Sequence, residues 1–412
     1  MTSSYLPSQN TTFAQETGEQ RLALLHNACR QDFPETEQLA PSDGDKILVS
    51  EKHSLGYCNV PKVGSSFWFA TFAILEDSVW NTSSPNELVS RLVEDVPKKT
   101  AVKSYRKLSS TARQDLNQHG HMFLFVRDPY QRLLSTYVNK FLSPNAFYWG
   151  SFGKQIIADY RPGASQHSKK CGHDVTLSEF LRYVTESNDS DPHWTSVYHL
   201  CSPCHYAYKF IGKAESFEED AVQLLIRFNM TRKVLYKPQY DKDVSFYMRL
   251  KIEQFIDHYR RVKHCLTLPE LVDRLWETFK AKGYLKLTDK PPLRALYHYD
   301  IDSQEFKDVL FEVAVARYKL LSLDGRMSSV GEQFVRQRFG QIELDILHRI
   351  KVKFWADFAL FGYNPEPRHL FQRPNISVFL FVNFLFLVCV FSLCAVCFKL
   401  DICSFHKIKL RF

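Results

Sequence analysis

The sequence predicts an α/β protein: a mostly parallel sheet flanked by helices, a helical C-terminal part and one C-terminal transmembrane helix. Three observations carry that reading. A short apolar strand pattern followed by a helical stretch occurs twice in the first third of the chain, the signature of strands fed by helical crossovers. Helical periodicity then dominates residues 246–361. Finally, residues 378–398 form an apolar run without a single charge, long enough at 1.5 Å per residue to span a hydrocarbon core of about 30 Å.

Taken in order, residues 1–45 are polar and rich in Ser, Thr, Gln and Glu, apart from a short helical patch at 21–30. They read as a stem or linker. The folded domain is expected over 46–365. A strand at 55–60 turns into a helix at 67–77, and a second strand at 121–126 runs into a helix at 130–141. Residues 141–175 collect Gly, Pro and Ser and suggest a long surface loop. Helical spacing returns at 177–184 and 217–228, and the long helical part breaks near Pro269 and at 290–292.

The chain has 412 residues, 45% of them hydrophobic and 24% charged, as expected for a globular protein with a sizeable core. Its net charge of +8 suits an anionic ligand without defining one. Nucleic-acid binders carry a denser basic patch, and no such partner is expected. Six cysteines (Cys29, Cys58, Cys171, Cys201, Cys204, Cys265) lie in the polar body, with N-x-S/T sequons at Asn10, Asn81, Asn188, Asn229 and Asn375. Both lean towards a secretory compartment. Cys201 and Cys204 lack the second pair that zinc spacing requires, so a disulfide role is favoured and no metal is expected.

Two stretches carry chemistry. Residues 57–68, YCNVPKVGSSFW, form a strand ending in a tight loop that opens a helix. Gly64 lets the backbone turn, Ser65 and Ser66 are suited to cap the helix, and its free amides make an anion site. Lys62 adds a formal charge, yet it precedes the glycine, so this is not a Walker A loop. A nucleotide kinase is thereby disfavoured. The second stretch, residues 123–141, brings Arg127 to a strand's C-terminal edge, where ligands sit in open α/β sheets. Asp128 and Pro129 start the next helix, and Ser135 lies on its first two turns. Arg127 could grip a phosphate in two-pronged fashion while Ser135 donates a third bond. Each stretch alone is also compatible with an ordinary helix start.

Together and in this order, VPKVGSS at 60–66 and RDPYQRLLS at 127–135 resemble the Golgi carbohydrate sulfotransferase family of chondroitin 4-O-, dermatan 4-O- and HNK-1 sulfotransferases. HW at 193–194, LCSPC at 200–204, FIGKAESFEED at 210–220 and DFALFGY at 357–363 fit the same family. The resemblance implies a P-loop-like sheet and 3′-phosphoadenylyl sulfate (PAPS) as sulfuryl donor to a glycan hydroxyl. It assigns Lys62 and the 64–67 amides, Phe67 included, to the sulfate and 5′-phosphate. Arg127 and Ser135 go to the 3′-phosphate, and Pro61, Val63, Asp128 and Arg132 complete the cofactor-binding set. Lys62 is the expected catalytic cation and His193 the expected base, with Glu215 and Glu218 as rivals. The basic cluster at Lys98, Lys99, Lys103, Arg106 and Lys107 is either part of an acceptor path or a solvated helix face.

The sequence departs from the family in three places. Residues 240–341 form an atypical helical insertion, position 67 is Phe where relatives often carry Asn, and the hydrophobic segment is C-terminal. The basic tail at 399–412 weakly places that end in the cytosol and the body in the Golgi lumen. Residues 1–27 hold no apolar signal, so the natural transcript is expected to carry more N-terminal sequence. A catalytically inactive, membrane-anchored glycan binder is the alternative function.

Overall fold

The computed structural model describes residues 17–30, 42–76, 82–91, 102–236, 241–325 and 327–372. Its sheet has five strands: β1 (Ile47–Ser50), β2 (Leu55–Cys58), β3 (Lys103–Ser104), β4 (His121–Val126) and β5 (Tyr208–Lys213). The spatial order is β3-β1-β2-β4-β5. Strands β2, β4 and β5 run parallel, whereas β1 is antiparallel to both β2 and β3. The sheet is therefore mixed rather than mostly parallel. The antiparallel part arises because β1 and β2 are joined by a single turn at Glu51–His53, closed by Ser54 at a φ of 48°. A connection that short permits only a hairpin, since a parallel pair needs a crossover of a dozen residues or so.

The parallel strands deliver the chain into helices on the sheet faces. Helix α1 (Gly18–Ala28) comes first, then α2 (Ser65–Glu76) after β2 and α3 (Pro129–Tyr137) after β4. Tyr57, Trp68, Phe72, Phe123 and Phe125 are buried between them as one aromatic cluster. Burying each such ring stabilises by about 1.5–3 kcal/mol. Residues 17–30 belong to this core although their neighbourhood reads as a linker. Leu25 is buried, and Arg21 donates to Asp220 at 2.7 Å and to the Ile211 carbonyl at 3.1 Å.

The stretch 141–175 is not a surface loop. It folds into short helical turns, including Trp149–Gly153, Lys154–Tyr160 and Gln166–Cys171, with Trp149, Ile156 and Ile157 buried. Its glycines permit close packing: a Cβ on Gly153 would lie 2.1 Å from the Gly172 carbonyl oxygen.

Helices α4 (Asp241–Val262), α5 (Leu268–Ala281), α6 (Gln304–Leu323) and α7 (Met327–Phe339) follow. Pro269 sits in the first turn of α5, so the break read there is a helix start. Helices α4, α5 and α6 share a second core built on Met248, Ile252, Phe255, Trp276, Phe279 and Leu310. Three disulfides use all six body cysteines: Cys29–Cys204, Cys58–Cys201 and Cys171–Cys265. Cys201 and Cys204 are thus each bonded to a distant cysteine.

Residues 1–365 form one unit and 366–412 another. Among the described residues no helix is long and apolar enough to cross a membrane. The candidate span at 378–398 and the basic tail lie outside the described residues.

Candidate active site

The loop between β2 and α2 carries two left-handed residues, Lys62 at a φ of 73° and Gly64 at 89°. At Gly64 a Cβ would lie 2.1 Å from the Phe217 ring, so only glycine fits. Lys62 has no such excuse, and a non-glycine residue held there stores strain of the kind found at functional sites. Helix α2 starts at Ser65, placing Ser65 and Ser66 inside its first turn rather than at its cap. The amides of Gly64, Ser65 and Ser66 have no partner among the described residues, while that of Phe67 bonds to the Gly64 carbonyl at 3.0 Å. The unpartnered amides and the helix dipole form an anion cradle. The Phe67 side chain is buried, edge-on to Phe217 at 5.4 Å. Position 67 is filled by core packing.

Lys62, Arg127 and Ser135 line one cavity of about 130 Å³. The structure therefore joins the two sequence stretches at one place. Arg127 touches Gln131 at 3.4 Å, and Lys62 forms no ion pair among the described residues. Burial and the charges of Lys282, Lys140, Lys251 and Arg127 push the Lys62 pKa well down. Lys62, Arg127, Lys251 and Lys282 line this cavity, with Asp128 and Glu215 acting on Arg127, and the excess of cations suits a polyanion.

The other proposed cofactor residues take different places. Asp128 caps α3 by accepting the Gln131 amide at 3.0 Å, and burial raises its pKa to about 6. Arg132 is 1% exposed and fully engaged: its guanidinium donates to the carbonyls of Pro61 (3.2 Å), Pro192 (2.8 Å) and Thr195 (2.7 Å). With every arm committed, Arg132 is a strut that ties the Lys62 loop to the segment bearing His193. Thr136, one turn further on, donates to the His193 carbonyl at 2.9 Å.

His193 lies outside the cavity lining, yet Lys140 and Lys62 are near enough to act on it. Its Nδ1 sits 2.6 Å from Asp191 and 2.9 Å from the Tyr148 hydroxyl, which also donates to Asp191 at 3.0 Å. An Nδ1–H donated to Asp191 leaves Nε2 as an acceptor. Burial, then the two lysines, outweigh Asp191 and lower the His193 pKa. The rival Glu215 is occupied, accepting the Asp128 amide and the Tyr363 hydroxyl at 3.0 Å each. Glu218 is exposed in the first turn of the helix Phe217–Arg227.

The closing stretch at 357–363 has a structural use. Asp357 is buried and accepts the amides of Val197 and Tyr198 at 2.8 and 2.9 Å, anchoring the helix that follows His193. In the basic cluster, Lys103 pairs with Glu51 and Arg106 with Asp43, both exposed, as on a solvated face; Lys98 and Lys99 lie outside the described residues.

Sequence reasoning missed Lys251, Lys282, Tyr148 and Asp191. For Lys251 a signal existed: it falls on the apolar stripe of Met248, Ile252 and Phe255, where a surface lysine would not.

A strand-loop-helix turn with unpartnered amides and an arginine-serine edge converge on one cationic cavity. Residues 45–280 match the sulfotransferase family, and the chain belongs to it. It is 32% identical over 216 residues to carbohydrate sulfotransferase 8 of Mus musculus, covering 50% of this chain and 49% of the relative. Over 226 residues it is 33% identical to carbohydrate sulfotransferase 14 of Danio rerio, 51% of this chain and 57% of the relative. Carbohydrate sulfotransferase 11 of Rattus norvegicus is 30% identical over 286 residues, 64% and 79% respectively. The chain thus spans about half the length of the first two relatives. No solved structure matches it significantly.

Proposed function

We propose that this chain is a PAPS-dependent carbohydrate sulfotransferase, moving a sulfuryl group to a hydroxyl of a glycosaminoglycan or glycoprotein glycan. The observation that carries this reading is the convergence of Lys62, Arg127 and Ser135, from two separate motifs, on one cavity. The names of the relatives supply the carbohydrate acceptor.

In this mechanism the bond between sulfur and the bridging phosphate oxygen breaks as the acceptor oxygen bonds to sulfur. The electron pair leaves with adenosine 3′,5′-bisphosphate. Lys62 and the 64–66 amides stabilise charge growing on the leaving phosphate. Arg127 and Ser135 hold the 3′-phosphate. His193 Nε2 takes the acceptor proton, while Asp191 and Tyr148 fix its ring and tautomer. Arg132 keeps donor loop and base in register. The reaction as written needs no metal ion.

The same reading puts the domain in the Golgi lumen, anchored through 378–398. Three disulfides suit an oxidising compartment, and the sequons at Asn188 and Asn229 are exposed.

The test is transfer of labelled sulfate from PAPS across a panel of glycosaminoglycans and neutral glycans. Transfer to any of them supports the proposal. PAPS binding without transfer would favour an inactive glycan-binding relative, and no PAPS binding would sink the donor assignment.

A further inference from the structure

The cavity has a second wall that neither motif supplies. Helix α4 contributes Tyr247 and Lys251, helix α5 contributes Thr278, and Lys282 caps the C-terminal end of α5. Neither Lys251 nor Lys282 forms an ion pair among the described residues. Each instead has an aromatic ring nearby: Phe255 lies 5.3 Å from Lys251 and Tyr247 lies 5.8 Å from Lys282. The acids Asp128 and Glu215 act on Arg127, and neither pairs with Lys251 or Lys282 among the described residues.

Lys282 alone could be explained as a solvent-touching cation at a helix C-terminus, where the helix dipole favours it. Lys251 could not. It stands mid-helix on the face that packs the second core and lines the same cavity as Lys62. Its surroundings, then Lys282 and Lys140, lower its pKa to about 8. Four cations, Lys62, Arg127, Lys251 and Lys282, line this cavity; like charges held together repel, and an anion bound among them relieves that repulsion.

We propose that Lys251 and Lys282 bind a phosphate or sulfate ester in this cavity, so that the helical region completes the anion site the motifs begin. This deepens the sulfotransferase reading of the same site. Lysines act here as point charges and accept either tetrahedral anion. Two sources fit that chemistry: the 3′-phosphate of the donor, or an anionic ester already present on the acceptor glycan.

The experiment is calorimetry on the full chain and its Lys251→Met and Lys282→Met variants. The probes are adenosine 3′,5′-bisphosphate, adenosine 5′-monophosphate, a sulfated disaccharide and its unsulfated counterpart. Methionine keeps most of the side-chain volume and removes the charge. A loss of about tenfold or more on the bisphosphate, with the monophosphate unchanged, identifies the donor's 3′-phosphate. The same loss confined to the sulfated disaccharide identifies the acceptor. In either case the unliganded Lys251→Met variant melts at or above the wild-type temperature. Wild-type affinity for all four probes in both variants overturns the proposal. So does an equal loss on all four with a lowered melting temperature, which is what a packing role gives. Wild-type protein that binds no adenosine nucleotide overturns the PAPS reading instead, and the disaccharide pair then decides this one.

Discussion

Arg127 and Arg132 sit five residues apart on the same strand-to-helix junction, yet the two regions they serve are opposites. Arg127 lines the cavity, and among the described residues its guanidinium has one weak hydrogen bond, to Gln131, beside the charges of Glu215 and Asp128. Arg132 is sealed in the interior with three carbonyls on its guanidinium. Chemistry of the side chain is the same in both; what differs is whether the protein or the ligand completes the hydrogen bonding. Residues left incomplete by the fold are where a ligand is owed contacts, and residues completed by the fold hold the geometry.

That contrast can be attacked by mutation. Lys62, the most crowded of the incomplete cations, gives the largest effect: Lys62→Ala lowers kcat by about 10²–10³-fold, and nucleotide affinity much less. Steady-state kinetics beside calorimetry separates the two, and a collapse of affinity at normal kcat would make Lys62 a binding residue only. Arg132→Met leaves three buried carbonyls without a donor and destabilises the fold by about 3 kcal/mol or more. Denaturant melts that match wild type would refute the strut. Arg127→Ala does the reverse, weakening nucleotide binding about tenfold to a hundredfold while the melt stays put.

Two pH experiments sharpen the same division. With the His193 pKa lowered, the neutral base persists into mild acid, so the acidic limb of kcat/KM falls below the ordinary imidazole value of 6.5. Lys251 gives the second. Its folded pKa of about 8 lies below its ordinary value of 10.5, so the folded state binds fewer protons than the unfolded between them. The penalty is fully present below pH 8, and the unliganded protein gains stability as pH rises from there. Lys282 carries the same shift, to about 8, so thermal melts at pH 7, 8 and 9 should show the rise, reduced in Lys251→Met. The smallest effect is on mobility: glycosidase digestion of protein from animal cells should remove glycans from Asn188 and Asn229, both exposed. A protein unaffected by digestion would place the domain outside the glycosylating compartment.

What was legible in the sequence follows from how local the signal was. The loop at 60–66 and the junction at 127–135 each sit on one turn, so residue type and order declare them. Strands β1 and β3, of four and two residues, are too short to show alternation, and the antiparallel half of the sheet stayed hidden. Gly, Pro and Ser in 141–175 were read as loop although Gly153 and Gly172 are there to let backbones touch. Arg132 was assigned to the donor through its motif neighbours, because burial among distant carbonyls leaves no trace in local spacing. The helical wall differs: Lys251 stands on an apolar stripe that marks it locally, but which cavity it lines depends on how α4 packs against α5 and α6.

The Cys58–Cys201 bridge sets an order in time. Cys58 ends the strand that leads into the Lys62 loop, and its partner follows His193 by eight positions, a closure spanning 143 residues. A ring of that size removes on the order of 5 kcal/mol of chain freedom from the unfolded state, but only after the ribosome has delivered its far half. Until residue 201 emerges and both thiols are oxidised, the donor loop and the base segment are free ends of one tether. The two segments are thus joined covalently only late in synthesis, by oxidation as much as by the sequence.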